Sequence, residues 1–128
     1  MMKKAVNINN ERDLHVKVVD CIKKKFPDLI VVPGLGELQD TETKRLEACS
    51  KGYRGGQPDL LILNPAKQFS GFAIEIKSPS GKWSVSDKQE EWIDKLVALK
   101  YKTMVSDDYD AILIELTQYY MLLHDKTA

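Results

Sequence analysis

Two acids and a lysine stand in apolar company where they could do chemistry. Asp59 opens the run Asp59-Leu-Leu-Ile-Leu63 directly after Gly55-Gly-Gln-Pro58, and Glu75 and Lys77 interrupt the run Gly71-Phe-Ala-Ile-Glu-Ile-Lys77. In a strand alternate side chains share a face, so Ala73, Glu75 and Lys77 point one way while Phe72, Ile74 and Ile76 point the other. A carboxylate in such a strand is costly to bury unless it is paired or bound to a cation. A Glu75–Lys77 ion pair is the purely structural reading. If the two runs pair as a hairpin, however, Asp59 lies beside Glu75. Two ionised carboxylates about 4 Å apart repel by about 4 kcal/mol at an effective dielectric near 20. A shared proton or a divalent cation offsets that repulsion, and hard oxygen donors suit Mg²⁺ or Mn²⁺, which keep several waters and commonly handle phosphates.

Two further polar residues fit the same picture and also have structural explanations. Glu11 lies on the helical stripe Glu11, Leu14, Val18, Ile22 and so faces the interior, yet an acid in a first helical turn is favoured by the helix dipole, with Asn9 or Asn10 as cap. Gln89 closes the capping-box pattern Ser86-Asp-Lys-Gln89 and also shares a face with Trp92, Ile93 and Leu96.

These residues need elements to hold them. Apolar positions recur at three- and four-residue steps through 10–26, which predicts an amphipathic helix ended by Pro27. Leu29-Ile-Val-Val32 reads as a strand stopped by Pro33-Gly34, 41–50 as a polar helix, and 51–58, with Gly52, Gly55 and Gly56, as a loop. Asp59–Leu63 and Gly71–Lys77 form the hairpin, 86–99 a helix, Tyr101–Val105 another extended piece, and 108–123 a last helix. The expected fold is a mixed α/β (α+β) domain in αβ(α)ββαβα order, with a central mixed sheet of about four strands flanked by helices.

Composition sets outer bounds. The chain's 128 residues are the length of one domain, and 43% apolar with 30% charged residues describes a globular protein, excluding collagen, coiled coil and a disordered chain. Lys plus Arg and Asp plus Glu both number 19, so no global basic signature marks a nucleic-acid binder. Charge is unevenly spread: seven bases against three acids over 1–26, one base against five acids over 104–128. Cys21 and Cys49 lie far apart without zinc spacing, and reduced thiols are expected. No apolar run reaches a membrane span and no signal core follows Met1-Met-Lys-Lys4, so the expectation is a cytoplasmic protein without membrane contact.

Asp59, followed 16 residues later by Glu75-Ile76-Lys77 in this order of elements, resembles the PD-(D/E)xK nuclease superfamily. A longer pattern narrows the resemblance. Glu11 in a first helix, Arg45-Leu46 and Gly52 ahead of Gly56-Gln-Pro-Asp-Leu60, Phe72-Ala-Ile-Glu-Ile-Lys77, Ser86 to Gln89, and a helix ending near Lys100-Tyr101 are similar to the VRR-NUC family over residues 10–120. The expectation is a single nuclease domain over 1–128 of the stand-alone phage or bacterial type. Two features depart from the family's pattern: Pro33-Gly34-Leu35-Gly36 replaces a Pro-Asn-Gly type turn, and Lys100 stands where a glycine is usual.

The resemblance implies Mg²⁺- or Mn²⁺-dependent hydrolysis of DNA phosphodiesters. Glu11, Asp59, Glu75 and the carbonyl of Ile76 would be metal ligands, Lys77 would orient or deprotonate the attacking water, and Gln89 would support the site. Lys44, Arg45, Lys51 and Arg54 around the glycine-rich loop, and Lys82 with Trp83 after the catalytic strand, are the candidates for DNA contact, the bases neutralising phosphates; for Trp83 a core or cap position is favoured over a base-stacking wedge. Stand-alone members resemble Holliday-junction resolvases, which implies a homodimer placing two sites on a branched DNA in repair or recombination. No recognition helix with clustered Arg and Asn stands out, which favours structure-selective cutting. The alternatives are a flap- or end-directed nuclease, a non-catalytic DNA-binding module of the same fold, and a small domain in which Asp59, Glu75 and Lys77 form only an ion network.

Overall fold

The computed structural model describes residues 8–34, 42–51 and 55–127. Helix α1 (Glu11–Lys25) is followed by β1 (Val31–Pro33), α2 (Glu42–Ser50), β2 (Leu60–Ile62), β3 (Gly71–Ile76), α3 (Asp87–Ala98), β4 (Tyr101–Ser106) and α4 (Tyr109–His124). This is the expected order. Of the two candidate caps of α1, Asn10 is used: its side chain accepts from the Asp13 N–H at 2.8 Å. The stripe Leu14, Val18, Cys21 and Ile22 is buried, and the helix closes where the Phe26 N–H donates to the Ile22 carbonyl, just before Pro27.

The four strands form one sheet in the order β1-β2-β3-β4. β1–β2 and β2–β3 pair antiparallel, and β3–β4 pair parallel across the α3 crossover. β1 begins two residues later than the apolar run suggests and includes Pro33, which pairs with Leu60. An edge strand tolerates a residue without an N–H, so proline does not end it. Leu60, Ile62, Phe72, Ile74 and Ile76 line one face of the sheet and make a single core with Leu14, Val18 and Ile22 of α1 and Ile112, Leu116 and Tyr119 of α4. Ala73, Glu75 and Lys77 take the other face, toward α3. The alternation read from the sequence therefore holds along β3.

Gly71 has a packing reason. A Cβ there would meet the Tyr101 ring and come within 2.6 Å of the Ile62 carbonyl oxygen, so only glycine lets the start of β4 lie against β3. At the same end Lys100 adopts φ 71°, the left-handed conformation that favours glycine, as it links α3 to β4.

This end of the sheet is also tied by side chains. Asn64 accepts from the Ile30 N–H at 2.6 Å and donates to the Asp28 carbonyl at 3.1 Å. The Tyr119 hydroxyl donates to the Asn64 carbonyl, and burial pushes that phenol up to about 12, so it remains a donor. Tyr120 donates to Asp28 at 2.6 Å, and His124 lies 3.0 Å from the second oxygen of the same carboxylate. No helix among the described residues is long and apolar enough to cross a membrane.

Candidate active site

At the opposite end of the strands, the register pairs Leu60 with Ile74 and Leu61 with Ala73. Continued by one residue, it sets Asp59 across from Glu75. Asp59 is fixed there from both sides of its peptide: its side-chain Oδ2 accepts from the Ile76 N–H at 2.7 Å, and its carbonyl accepts from the Gly34 N–H at 2.8 Å. Every residue of β3 is buried. Glu75 is 5% exposed and Lys77 8%. The Glu75 carboxyl is pushed up from its ordinary 4.5 to about 9, first by burial, next by the Asp59 charge and hydrogen bond, and to a lesser degree by Glu11, with Lys77 pulling the other way. The repulsion anticipated from the hairpin is therefore present, and Lys77 only partly offsets it.

Gln89 connects the acid to the lysine. Its Oε1 accepts from Lys77 Nζ at 2.7 Å and from the Ser86 N–H at 3.0 Å, and its Nε2 donates to Glu75 Oε1 at 3.0 Å. The Ser86 hydroxyl completes the capping box by accepting from the Gln89 N–H at 3.2 Å. Two donors converge on Oε1, which leaves the amide N–H₂ to face Glu75. The choice between cap and site therefore does not arise, because one side chain serves both. Starting α3 and aiming the Lys77 ammonium are the same set of bonds.

The glycine-rich loop lies against this helix start. Gly56 has φ 89°, and a Cβ there would come within 2.6 Å of the Lys88 carbonyl carbon and 2.8 Å of the Gln89 nitrogen. Gly55 is flanked by the Lys88 side chain, whose Nζ lies 3.4 Å from where a Cβ would sit. Lys88 was not singled out in the sequence. Its nearness to the site depends on a contact between residues 55–56 and 88–89 that no local pattern reveals.

The remaining candidates are spread around this centre. Glu11 occupies the first position of α1 and is close enough for its charge to act on Glu75. Among the described residues no group of three or more His, Cys, Asp or Glu side chains gathers to hold a metal ion. Lys44 is exposed on α2, Lys51 in the turn that follows it, and Lys82 between β3 and α3. Arg45 belongs to α2, but its side chain, like all of Arg54, lies outside the described residues. Trp83 is not core: it is 40% exposed, and its indole N–H donates to Asp107 Oδ2 at 2.9 Å. Among the described residues every buried side-chain nitrogen and oxygen has a partner.

A mixed four-strand sheet thus juxtaposes two acids, a lysine and a glutamine at one end of its central strands. The VRR-NUC domain model matches residues 9–107, and the chain belongs to that family. A solved structure described as a VRR_NUC domain protein superposes with a TM-score of 0.70 at 23% identity, over 88% of this chain and 88% of the other. No curated protein matches significantly.

Proposed function

We propose that this nuclease-type domain is a Mg²⁺- or Mn²⁺-dependent DNA endonuclease that hydrolyses phosphodiester bonds, prefers branched, junction-like DNA, and acts as a homodimer in the cytoplasm of a bacterium or phage-infected host. One observation carries the reading: Asp59 and Glu75 are held against each other in a buried strand pair, with Lys77 aimed from the same face. A structural ion pair needs one acid and one base. The second acid adds only repulsion unless a cation is to be held.

The donor set fits a hard divalent ion. Asp59, Glu75 and the carbonyl of Ile76 offer oxygen, Glu11 is the third acid, and the absence of sulfur or imidazole donors from this set suits Mg²⁺ or Mn²⁺ over softer metals. Bound by these residues, such an ion would supply Lewis-acid chemistry toward the phosphoryl and leaving oxygens. Lys77 orients the attacking water and, as an ammonium, balances charge that develops on the phosphate; only in its neutral form would it take up the water's proton. Gln89 restrains Lys77, so the ammonium is positioned before substrate arrives. Lys44, Arg45, Lys51, Arg54 and Lys82 neutralise flanking phosphates. A two-fold dimer would bring two such sites to two strands of one branch.

The test is cleavage of a synthetic four-way junction and of a matched linear duplex by the purified protein in Mg²⁺, Mn²⁺ or EDTA, repeated with Lys77→Ala. Cutting of the junction that needs metal and is lost in the variant is expected. Binding without cleavage in any metal would overturn the catalytic assignment in favour of a DNA-binding scaffold. Light scattering with and without junction DNA checks the dimer, which a persistent monomer would exclude.

A further inference from the structure

Between Lys77 and the first residue of α3 the chain makes a largely exposed excursion. Residues 80–84 are all exposed, and Gly81, with φ 76°, has nothing near where a side chain would begin. Most of this segment buries no apolar surface. Trp83 is held within it all the same. Its indole N–H donates to Asp107, and Asp107 follows Ser106, whose carbonyl accepts from the Lys77 N–H at 2.9 Å. Because β3 and β4 run parallel, Lys77 and Asp107 leave the sheet at the same edge. The indole is therefore tied to the end of the sheet that carries Asp59, Glu75 and Lys77. It is the one aromatic among the large apolar side chains that are exposed in the described residues.

An exposed aromatic ring restrained through its N–H is suited to stacking. The Asp107 carboxylate at the N–H edge of the ring disfavours a phosphate there, whereas a nucleobase has a π-face and no charge. Lys82 adjoins Trp83 in the chain, and Lys88 lies along Gly55 at the start of α3, so cations for the sugar-phosphate backbone flank the ring's segment. Fully paired DNA shows its base faces only at its ends. An unpaired nucleotide shows one wherever it occurs.

We propose that Trp83 stacks on an unpaired nucleotide of the DNA substrate next to the scissile phosphate, with Lys82 and Lys88 holding the adjoining phosphates, so that DNA with an unstacked nucleotide at the cut is preferred to continuous duplex. This rests on the nuclease reading of the same site. It also has a binding readout independent of cleavage.

The experiment uses the full chain in EDTA. In a Trp92→Phe background, where Trp83 is the remaining tryptophan, indole emission is followed as a short oligothymidylate or a relaxed, covalently closed circular duplex is added. The oligothymidylate should quench Trp83 strongly and the closed duplex weakly. Trp83→Ala should weaken oligothymidylate binding by about ten-fold or more, while Trp83→Phe keeps most of it. In cleavage assays Trp83→Ala should lose the preference for junction over duplex. Equal quenching by both DNAs, or a Trp83→Ala protein that binds and discriminates like the wild type, would overturn the inference even if cleavage is intact. A wild type that cuts nothing but shows the selective quenching would overturn the nuclease reading and leave the stacking site standing.

Discussion

At one end of the strands Asp59 faces Glu75 across the hairpin, and burial and like charge push Glu75 up to about 9. At the other end Asp28 accepts from Tyr120 and lies against His124, which hold its carboxyl below the ordinary 3.8. Both clusters join distant parts of the chain through carboxylates, but one set of neighbours opposes the charge and the other welcomes it. A cluster that only held the fold together would look like the second. The first keeps an arrangement unfavourable to the folded protein at neutral pH, which is common where a site must bind a cation or move a proton.

The sharpest way to break this contrast is Lys77→Ala. Cleavage is expected to fall by about 10²–10⁴-fold, in the range of a lost acid–base group, while Tyr120→Phe at the other end leaves the rate unchanged. Equal losses in a gel assay would show that the two ends are not functionally distinct. Gly56→Ala should come next, because its Cβ would run into the Lys88 and Gln89 backbone and the Lys88 Cβ at the start of α3. A stability loss of about 1–3 kcal/mol in a urea titration should accompany reduced cleavage, through displacement of Gln89.

Acidity separates the ends in opposite directions. Glu75 binds its proton more tightly in the folded protein, so its contribution favours folding below its ordinary 4.5 and is lost as pH rises toward about 9. Asp28 works the other way: its contribution is present above 3.8 and is lost as pH falls through the lower value it has in the fold. Thermal midpoints in EDTA should therefore decline between about pH 4.5 and about 9, and Glu75→Gln should flatten that decline. Asp28→Asn should flatten the acid side alone.

The smallest effect belongs to the far end. Lys100→Gly should gain about 1 kcal/mol in the same titration by relieving a left-handed lysine, with cleavage untouched.

The hairpin and its alternating faces were legible in the sequence because strand periodicity is local and Pro58 and Gly71 bracket the runs. Asp59 beside Glu75 followed from that periodicity plus an antiparallel register. The double duty of Gln89 was visible only as an ambiguity, since a capping-box pattern and a site residue both place a glutamine three positions after serine. Lys88 was not legible, and Trp83 was legible only as a choice weighted toward core or cap over a base-stacking wedge. Each takes its meaning from a partner far along the chain, Gly55 and Gly56 for the first and Asp107 for the second.

α4 lies beyond the residues matched by the family, yet it supplies Ile112, Leu116 and Tyr119 to the core shared with α1. A chain emerging from the ribosome has Asp59, Glu75, Lys77 and Gln89 in hand well before that helix is made. Until then the apolar face of the sheet is covered by α1 alone, and the core that α1 and α4 share is incomplete. The moment at which a newly made molecule acquires a working site is thus decided by a helix that lends the site no side chain.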